Sequence, residues 1–302
     1  MALKATLRRF ADGHGFLSVL LNFQRLAHGY QPIFLDYRVE PTPRFGYGKP
    51  AHPELTRILG RNDAQYAELL AQFLSFSEDL FRISLREPRE SPEPSWQHDW
   101  LDGLDTFALY GFMATGHPAL YMEIGSGYST KVVRRAIKDH NLRAKIVSID
   151  PHPRAEVDSL CDEVIRQPLE KCDLKIFDRL TAGDIVFMDG SHRAFMNSDV
   201  TVLFLEIFPR LKSGVLVHLH DIFLPLDYPP YWKLQYYPHR YWSEQYLLAA
   251  SLLAGQSAYD VVLPAHYISI TDHLARMLDG FWQDPTVAGV PRNGTSFWIR
   301  MR

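Results

Sequence analysis

Two short runs hold the side chains best suited to chemistry. In Asp189-Gly-Ser-His192 an imidazole follows an acid by three residues, and in His218-Leu-His220-Asp221 two histidines lead into an acid. Alternate residues of a strand share a face, so His218 and His220 point together while Asp221 begins the following loop. Carboxylates from two neighbouring strand ends, with an imidazole beside them, suit a divalent cation. Oxygen-rich ligation favours magnesium or manganese, and added histidine tilts the choice toward iron, zinc or cobalt. His218, deeper in its apolar run, reads as a core histidine.

A third run, Glu123-Ile-Gly-Ser-Gly-Tyr-Ser-Thr130, follows the apolar Ala119-Leu-Tyr-Met122 and precedes the helix-like Lys131-Val-Val-Arg-Arg-Ala-Ile137. This order spells strand, glycine turn, helix. Glycine lacks a Cβ, so such a turn lets the backbone approach a ligand closely. An acid at Glu123, read as the strand's tip, repels a pyrophosphate and attracts an ammonium. The third glycine of a dinucleotide turn is absent, as is the Gly-Lys-Ser/Thr of a phosphate loop. S-adenosylmethionine, cationic and free of phosphate, matches these features. Three further apolar runs end at acids: Lys145–Ile149 at Asp150, Asp184–Met188 at Asp189, and Gly214–His220 at Asp221. Ligands of open α/β sheets bind outside the carboxyl ends of the strands. Glu123, Asp150, Asp189 and Asp221 are therefore expected to ring one cleft, with Asp150 placed to hold a ribose diol.

The E-x-G-x-G turn and the acid after the second strand resemble the motifs of class I S-adenosylmethionine-dependent methyltransferases. The D-G-S-H and H-D runs are similar to a branch, methyltransferase family 24-like, that includes metal-dependent O-methyltransferases acting on sugars of natural products. The resemblance spans Pro118 to Leu263. It implies a Rossmann-like seven-stranded α/β sheet, closed by antiparallel strands at Tyr259–Leu263 and Phe297–Met301. It implies cofactor contacts from Glu123, Gly125, Ser126, Gly127, Ser129, Thr130, Asp150, Pro151, Asp189 and Gly190, with the segment around Gln167 and Glu170 bordering the adenine. It also implies Asp189 and Asp221 as metal ligands, with magnesium, manganese or iron as the ion and His192 as general base. His220 stands where that branch often has a second acid. The expected reaction is O-methylation of a small-molecule or glycan hydroxyl. An iron-dependent hydroxylase on the same fold and a non-catalytic scaffold are the alternatives.

The elements that must position these residues follow from composition and spacing. The chain has 302 residues, 46% hydrophobic and 22% charged, with a net charge of −3. That is an ordinary globular composition, without the basic face a nucleic acid demands. Lys131, Arg134, Arg135 and Lys138 read as a solvated helix face. Two cysteines, Cys161 and Cys172, are too few for a disulfide framework, and a reducing cytoplasm is the default. The apolar stretch Phe16–Leu21 is too short for a membrane span and reads as a packed helix. Asn62-Asp63 is placed to cap a helix running through Phe81, and Arg86–Ser95 reads as a linker. Residues 1–95 are thus expected as a mostly helical cap or homo-oligomerisation arm, and residues 96–302 as the cofactor-binding domain. Within the latter, the aromatic-rich insertion 222–242 is expected over the acceptor pocket, followed by a helix at 243–253 whose Glu244 and Gln245 reach the same cleft.

Overall fold

Five short runs of β-branched and apolar residues each end at a glycine, an acid or a polar turn, and they form the parallel part of one sheet. The computed structural model describes residues 37, 39–40, 42–153, 157–230 and 241–302. Within it, β1 (Leu120–Ile124), β2 (Lys145–Ile149), β3 (Glu163–Ile165), β4 (Ile185–Met188) and β5 (Leu216–Leu219) run parallel. β6 (Tyr259–Pro264) and β7 (Phe297–Met301) complete seven strands in the order β3-β2-β1-β4-β5-β7-β6, with β7 antiparallel to both neighbours. Apart from the edge strand β3, where Glu163 and Val164 are exposed, the strands bury nearly every residue, as expected where helices cover both faces. This is the expected seven-stranded Rossmann-like sheet. Strand order reverses between β1 and β4, and that reversal opens a crevice at their carboxyl ends.

Residues 44–228 and 241–302 form one compact unit. Residues 1–43 and 229–240 group separately and fall almost wholly outside the described residues, as does the helix expected at Phe16–Leu21. Residues 44–95, expected from the sequence as part of an N-terminal cap, thus pack with the sheet. The helix expected from 62 to 81 is two: α2 (Asp63–Leu74), which follows α1 (Pro53–Gly60), and a short turn at Ser77–Leu80. The Ser75 and Ser77 hydroxyls donate to the carbonyls of Gln72 and Leu74, competing with the helical ladder at the break. Asn62 makes no side-chain cap.

Helix α3 (Gly103–Gly116) is buried almost along its length against α2 and α4 (Tyr128–Asp139). Gly111 permits this approach, because a Cβ there would lie 2.4 Å from the ring of Phe73. The stretch expected as a free linker, 86–95, is instead tied to α4. Lys131 Nζ donates to the Arg89 carbonyl (2.8 Å), and Arg135 and Lys138 pair with Glu93. The basic face expected to be solvated is therefore mostly engaged, since Lys131 is buried and Arg134 binds Asp162 and the Leu160 carbonyl. Only Lys138 of the four stands largely in solvent. Cys161 and Cys172 are free thiols. Among the described residues no helix is long and apolar enough to cross a membrane.

Candidate active site

The glycine turn joins β1 to α4 under the tightest constraint in the site. Gly125 has φ +83°, and a Cβ on it would lie 2.0 Å from the Asp189 carbonyl oxygen. Only glycine fits there. Backbone bonds from Gly125 N to Ile149 O (3.1 Å) and from Asp189 N to Ile124 O (2.9 Å) lock three strand ends together. Gly127 differs, since nothing lies within 4 Å of where a Cβ would stand and the space beside it is open.

A cavity of about 430 Å³ lies on this turn. Gly125, Ser126, Gly127, Ser129, Asp150, Pro151, Asp189 and Gly190, which the sequence reading expected to contact the cofactor, line it together with Trp100, Leu101, Pro168, Leu169 and Glu170. Asp150 accepts from Ser126 N (2.8 Å) and His152 N (2.7 Å), which fixes its carboxylate at the β2 end. Gln167 is not on the wall, whereas Glu170 is.

Glu123 departs from expectation. It is the penultimate residue of β1, fully buried, and turned behind the turn rather than onto the cavity wall. Its two carboxylate oxygens accept the hydroxyls of Ser129 (3.0 Å) and Thr130 (2.5 Å), tying β1 to the first turn of α4. Burial pushes its pKa up to about 7 against those bonds. Thr130 shares that buried position. Three of the four acids, Asp150, Asp189 and Asp221, stand just past strand ends; Glu123 does not, because β1 continues through Ile124.

Beside the cavity, Asp189, His220 and Asp221 each offer a ligand atom, all within 4.8 Å of one another. His192 joins them, with Nε2 3.1 Å from Asp189 Oδ1 and 3.5 Å from Asp221 Oδ2. His220 Nδ1 lies 3.7 Å from Asp189 Oδ1 and 3.6 Å from Asp221 Oδ2. Both nitrogens are buried, and neither has a hydrogen-bond partner among the described residues. His192 and Asp221 both have φ +58°, conformations rare for these residues and held by the surrounding structure.

Each imidazole is braced from behind by a buried carboxylate. Glu244, at the start of α5 (Glu244–Leu253), places Oε2 2.9 Å from His192 Nδ1, while the His192 carbonyl accepts from Ser243 N and Glu244 N. Asp105, on α3, stands 3.5 Å from His220 Nε2 and accepts from Thr295 N and Ser296 N. Trp242 covers the His192 ring at 4.1 Å between centroids. Gln245 does not reach the cluster; it pins the 223–226 loop through Phe223 N and the Leu226 carbonyl. The rest of the expected aromatic insertion, 231–240, lies outside the described residues.

Charge follows from this packing. Burial opposes ionisation of Asp189, but His192 and His220 outweigh it and hold the carboxyl well below its usual range. Burial likewise disfavours the imidazolium of His192, yet Asp189, Glu244 and Asp221 raise its pKa to about 10. His218 is the core histidine expected, stacked on Trp298 at 4.0 Å and bonded to Ser296 Oγ at 2.6 Å, with burial driving its pKa well down. Sequence reasoning missed Asp105. An acid inside the apolar run Gly103–Ala114 was the available signal.

Residues 122–222 match the profile of the family described as a methyltransferase domain. The match coincides with the strands, the turn and the acids that build the cavity and the cluster. Residues 122–222, about a third of the chain, thus carry a methyltransferase domain. Among curated proteins nothing matches. Among solved structures the chain is similar to the SAH-bound Podospora anserina methyltransferase PaMTH1, at 17% identity over 85% of this chain and 100% of that one, TM-score 0.40. It is also similar to an O-methyltransferase from Bacillus cereus in complex with SAH, at 12% identity over 78% and 91%, TM-score 0.41. A third is the MycE methyltransferase of the mycinamycin biosynthetic pathway with Mg and SAH, at 18% identity over 72% of this chain and 55% of that one, TM-score 0.38.

Proposed function

We propose that this enzyme methylates a hydroxyl oxygen of a small molecule or glycan, assisted by a divalent cation and with His192 as base. The observation that carries the reading is the pair of buried imidazole nitrogens, His192 Nε2 and His220 Nδ1, aimed without hydrogen bonds at the same two carboxylates.

The cavity suits the cofactor. The bare Gly127 leaves room for close approach, and among the described residues no lysine or arginine lines the wall. Asp150 presents a carboxylate whose two oxygens, each accepting one backbone N–H, retain lone pairs for a diol. S-adenosylmethionine supplies the electrophilic methyl when bound, so the protein has to bind, orient and deprotonate. Asp189, His220 and Asp221 would hold the cation, which supplies Lewis-acid activation of an acceptor hydroxyl.

The chain's own groups perform the remainder. Asp189 belongs both to the cavity wall and to the cluster, so it fixes the acceptor side against the cofactor side. Glu244 holds the His192 ring with Nε2 facing the acids. With the charge of Asp189 and Asp221 neutralised, the groups that retain the His192 proton weaken, and Nε2 becomes available to accept one. Trp242 and burial keep bulk water from that nitrogen. The test is methyl transfer from labelled cofactor to a panel of sugar, polyol and phenol hydroxyls, with and without added divalent cation. Transfer to a hydroxyl that a chelator suppresses supports the reading; transfer only to nitrogen or sulfur acceptors refutes it.

A further inference from the structure

We propose that the cation site is built for a first-row transition ion between iron and zinc rather than magnesium, with His220 Nδ1 as a ligand and Asp105 as the residue that positions it. The inference rests on the methyl-transfer reading above and deepens it.

His220 continues the β5 ladder through its N–H to Met188 O (3.0 Å), which fixes the ring beside Asp189 and Asp221. The ring is buried and offered on both sides. Nε2 faces Asp105 Oδ2 at 3.5 Å and Thr295 Oγ1 at 3.4 Å. Asp105 is fully buried in a helix whose other buried side chains are mostly apolar, and the backbone N–H groups of Thr295 and Ser296 hold it from β7's approach. A carboxylate so placed attracts the ring proton to Nε2 and leaves the Nδ1 lone pair turned toward two further carboxylates. Facing two carboxylates, Nδ1 holds either a proton or a metal ion, and a bound metal ion displaces the proton.

The spacing accords with such an ion. Donors about 2.1 Å from a metal stand between about 3 Å and about 4.2 Å apart in an octahedron. His220 Nδ1 is 3.7 Å and 3.6 Å from the two carboxylate oxygens. Magnesium takes oxygen donors and dehydrates reluctantly, whereas imidazole suits iron, cobalt and zinc. The hydrogen-bonded carboxylate behind the histidine is the arrangement that orients metal-bound imidazoles, and losing such a partner typically weakens metal affinity about 10- to 100-fold.

The experiment uses the full chain, stripped with chelator, titrated with cobalt(II) and separately with magnesium by calorimetry. Proton NMR of the cobalt-loaded protein supplies the readout of ligation. Expected are tighter binding of cobalt and a far-shifted, solvent-exchangeable imidazole N–H resonance that disappears in His220→Asp. That variant retains an oxygen donor and is expected to narrow the cobalt-over-magnesium preference at least about tenfold. Asp105→Asn is expected to weaken cobalt about 10- to 100-fold while leaving S-adenosylhomocysteine affinity unchanged, which also reports that the variant is folded. Unchanged cobalt affinity and preference in His220→Asp, with the resonance retained, would overturn the donor assignment while leaving a cation site in place. No binding of either ion to the wild-type chain would overturn the cation reading itself.

Discussion

Glu244 and His192, 52 residues apart in the chain, meet as a buried pair with 2.9 Å between Oε2 and Nδ1. The contact joins the first turn of α5 to the loop after β4, and the Ser243 hydroxyl accepting from Ala194 N (2.9 Å) secures the same junction. Glu244 acts through His192, holding Nε2 toward Asp189 and Asp221 and adding negative charge that favours the imidazolium.

Glu244→Gln keeps a partner for Nδ1 but removes that charge. Turnover is expected to fall about 10- to 100-fold with S-adenosylhomocysteine affinity unchanged. Because Glu244 raises the His192 pKa, its loss moves the acid limb of the pH–rate profile to lower pH. A uniform loss of turnover with an unmoved profile would contradict the positioning role.

His192→Ala removes the base itself. Turnover is expected to drop about 10²- to 10⁴-fold while cofactor affinity, measured by calorimetry, stays within a factor of about two. Retained turnover would show that another group takes the proton.

The two turn glycines are expected to fail differently. A methyl at Gly125 meets the Asp189 carbonyl at 2.0 Å from a backbone at φ +83°, so Gly125→Ala should cost about 1–3 kcal/mol of stability as well as cofactor affinity. At Gly127 φ is 172°, outside the left-handed region, and nothing lies within 4 Å of where a Cβ would stand. Gly127→Ala should melt like wild type yet bind the cofactor more weakly. Thermal melts and calorimetry of both variants check this, and equal destabilisation would contradict it.

Glu123 predicts a pH effect. Burial raises its pKa from 4.5 to about 7, so between those values the native chain holds a proton that the unfolded chain has released. Stability therefore falls as pH rises through that window and levels off above it. Glu123→Gln should abolish a decline of ~2–3 kcal/mol between pH about 5 and about 7.5 in urea unfolding of the cofactor-free protein. Parallel pH curves would contradict the assignment.

Much of this is readable in the residues. The parallel strands stand out because apolar runs stop at Asp150, Asp189 and Asp221, and a strand tip in an open sheet is where polar groups become useful. Period-2 alternation puts His218 and His220 on one face, where the structure has them with ring centroids 6.4 Å apart. Glu123 lies one residue inside its strand rather than at the tip, enough to turn its side chain from the cleft to the helix. Asp105 and Trp242 reach the cluster through tertiary packing of α3 and of the approach to α5, and no local pattern encodes which imidazole a buried acid will face. The helix break at Ser75–Ser77 comes from hydroxyls competing for carbonyls inside an otherwise apolar periodicity.

The most direct test of the central claim is calorimetric titration of the metal-stripped chain with S-adenosylhomocysteine, repeated with cobalt(II) present. The account predicts about one site per chain, and a melting temperature that rises with ligand as linkage requires, ~2.7 kcal/mol of stabilisation at a hundredfold excess over Kd. Absence of heat and of any melting shift at concentrations on the order of 1 mM, a regime that would register even a weak site, would contradict it.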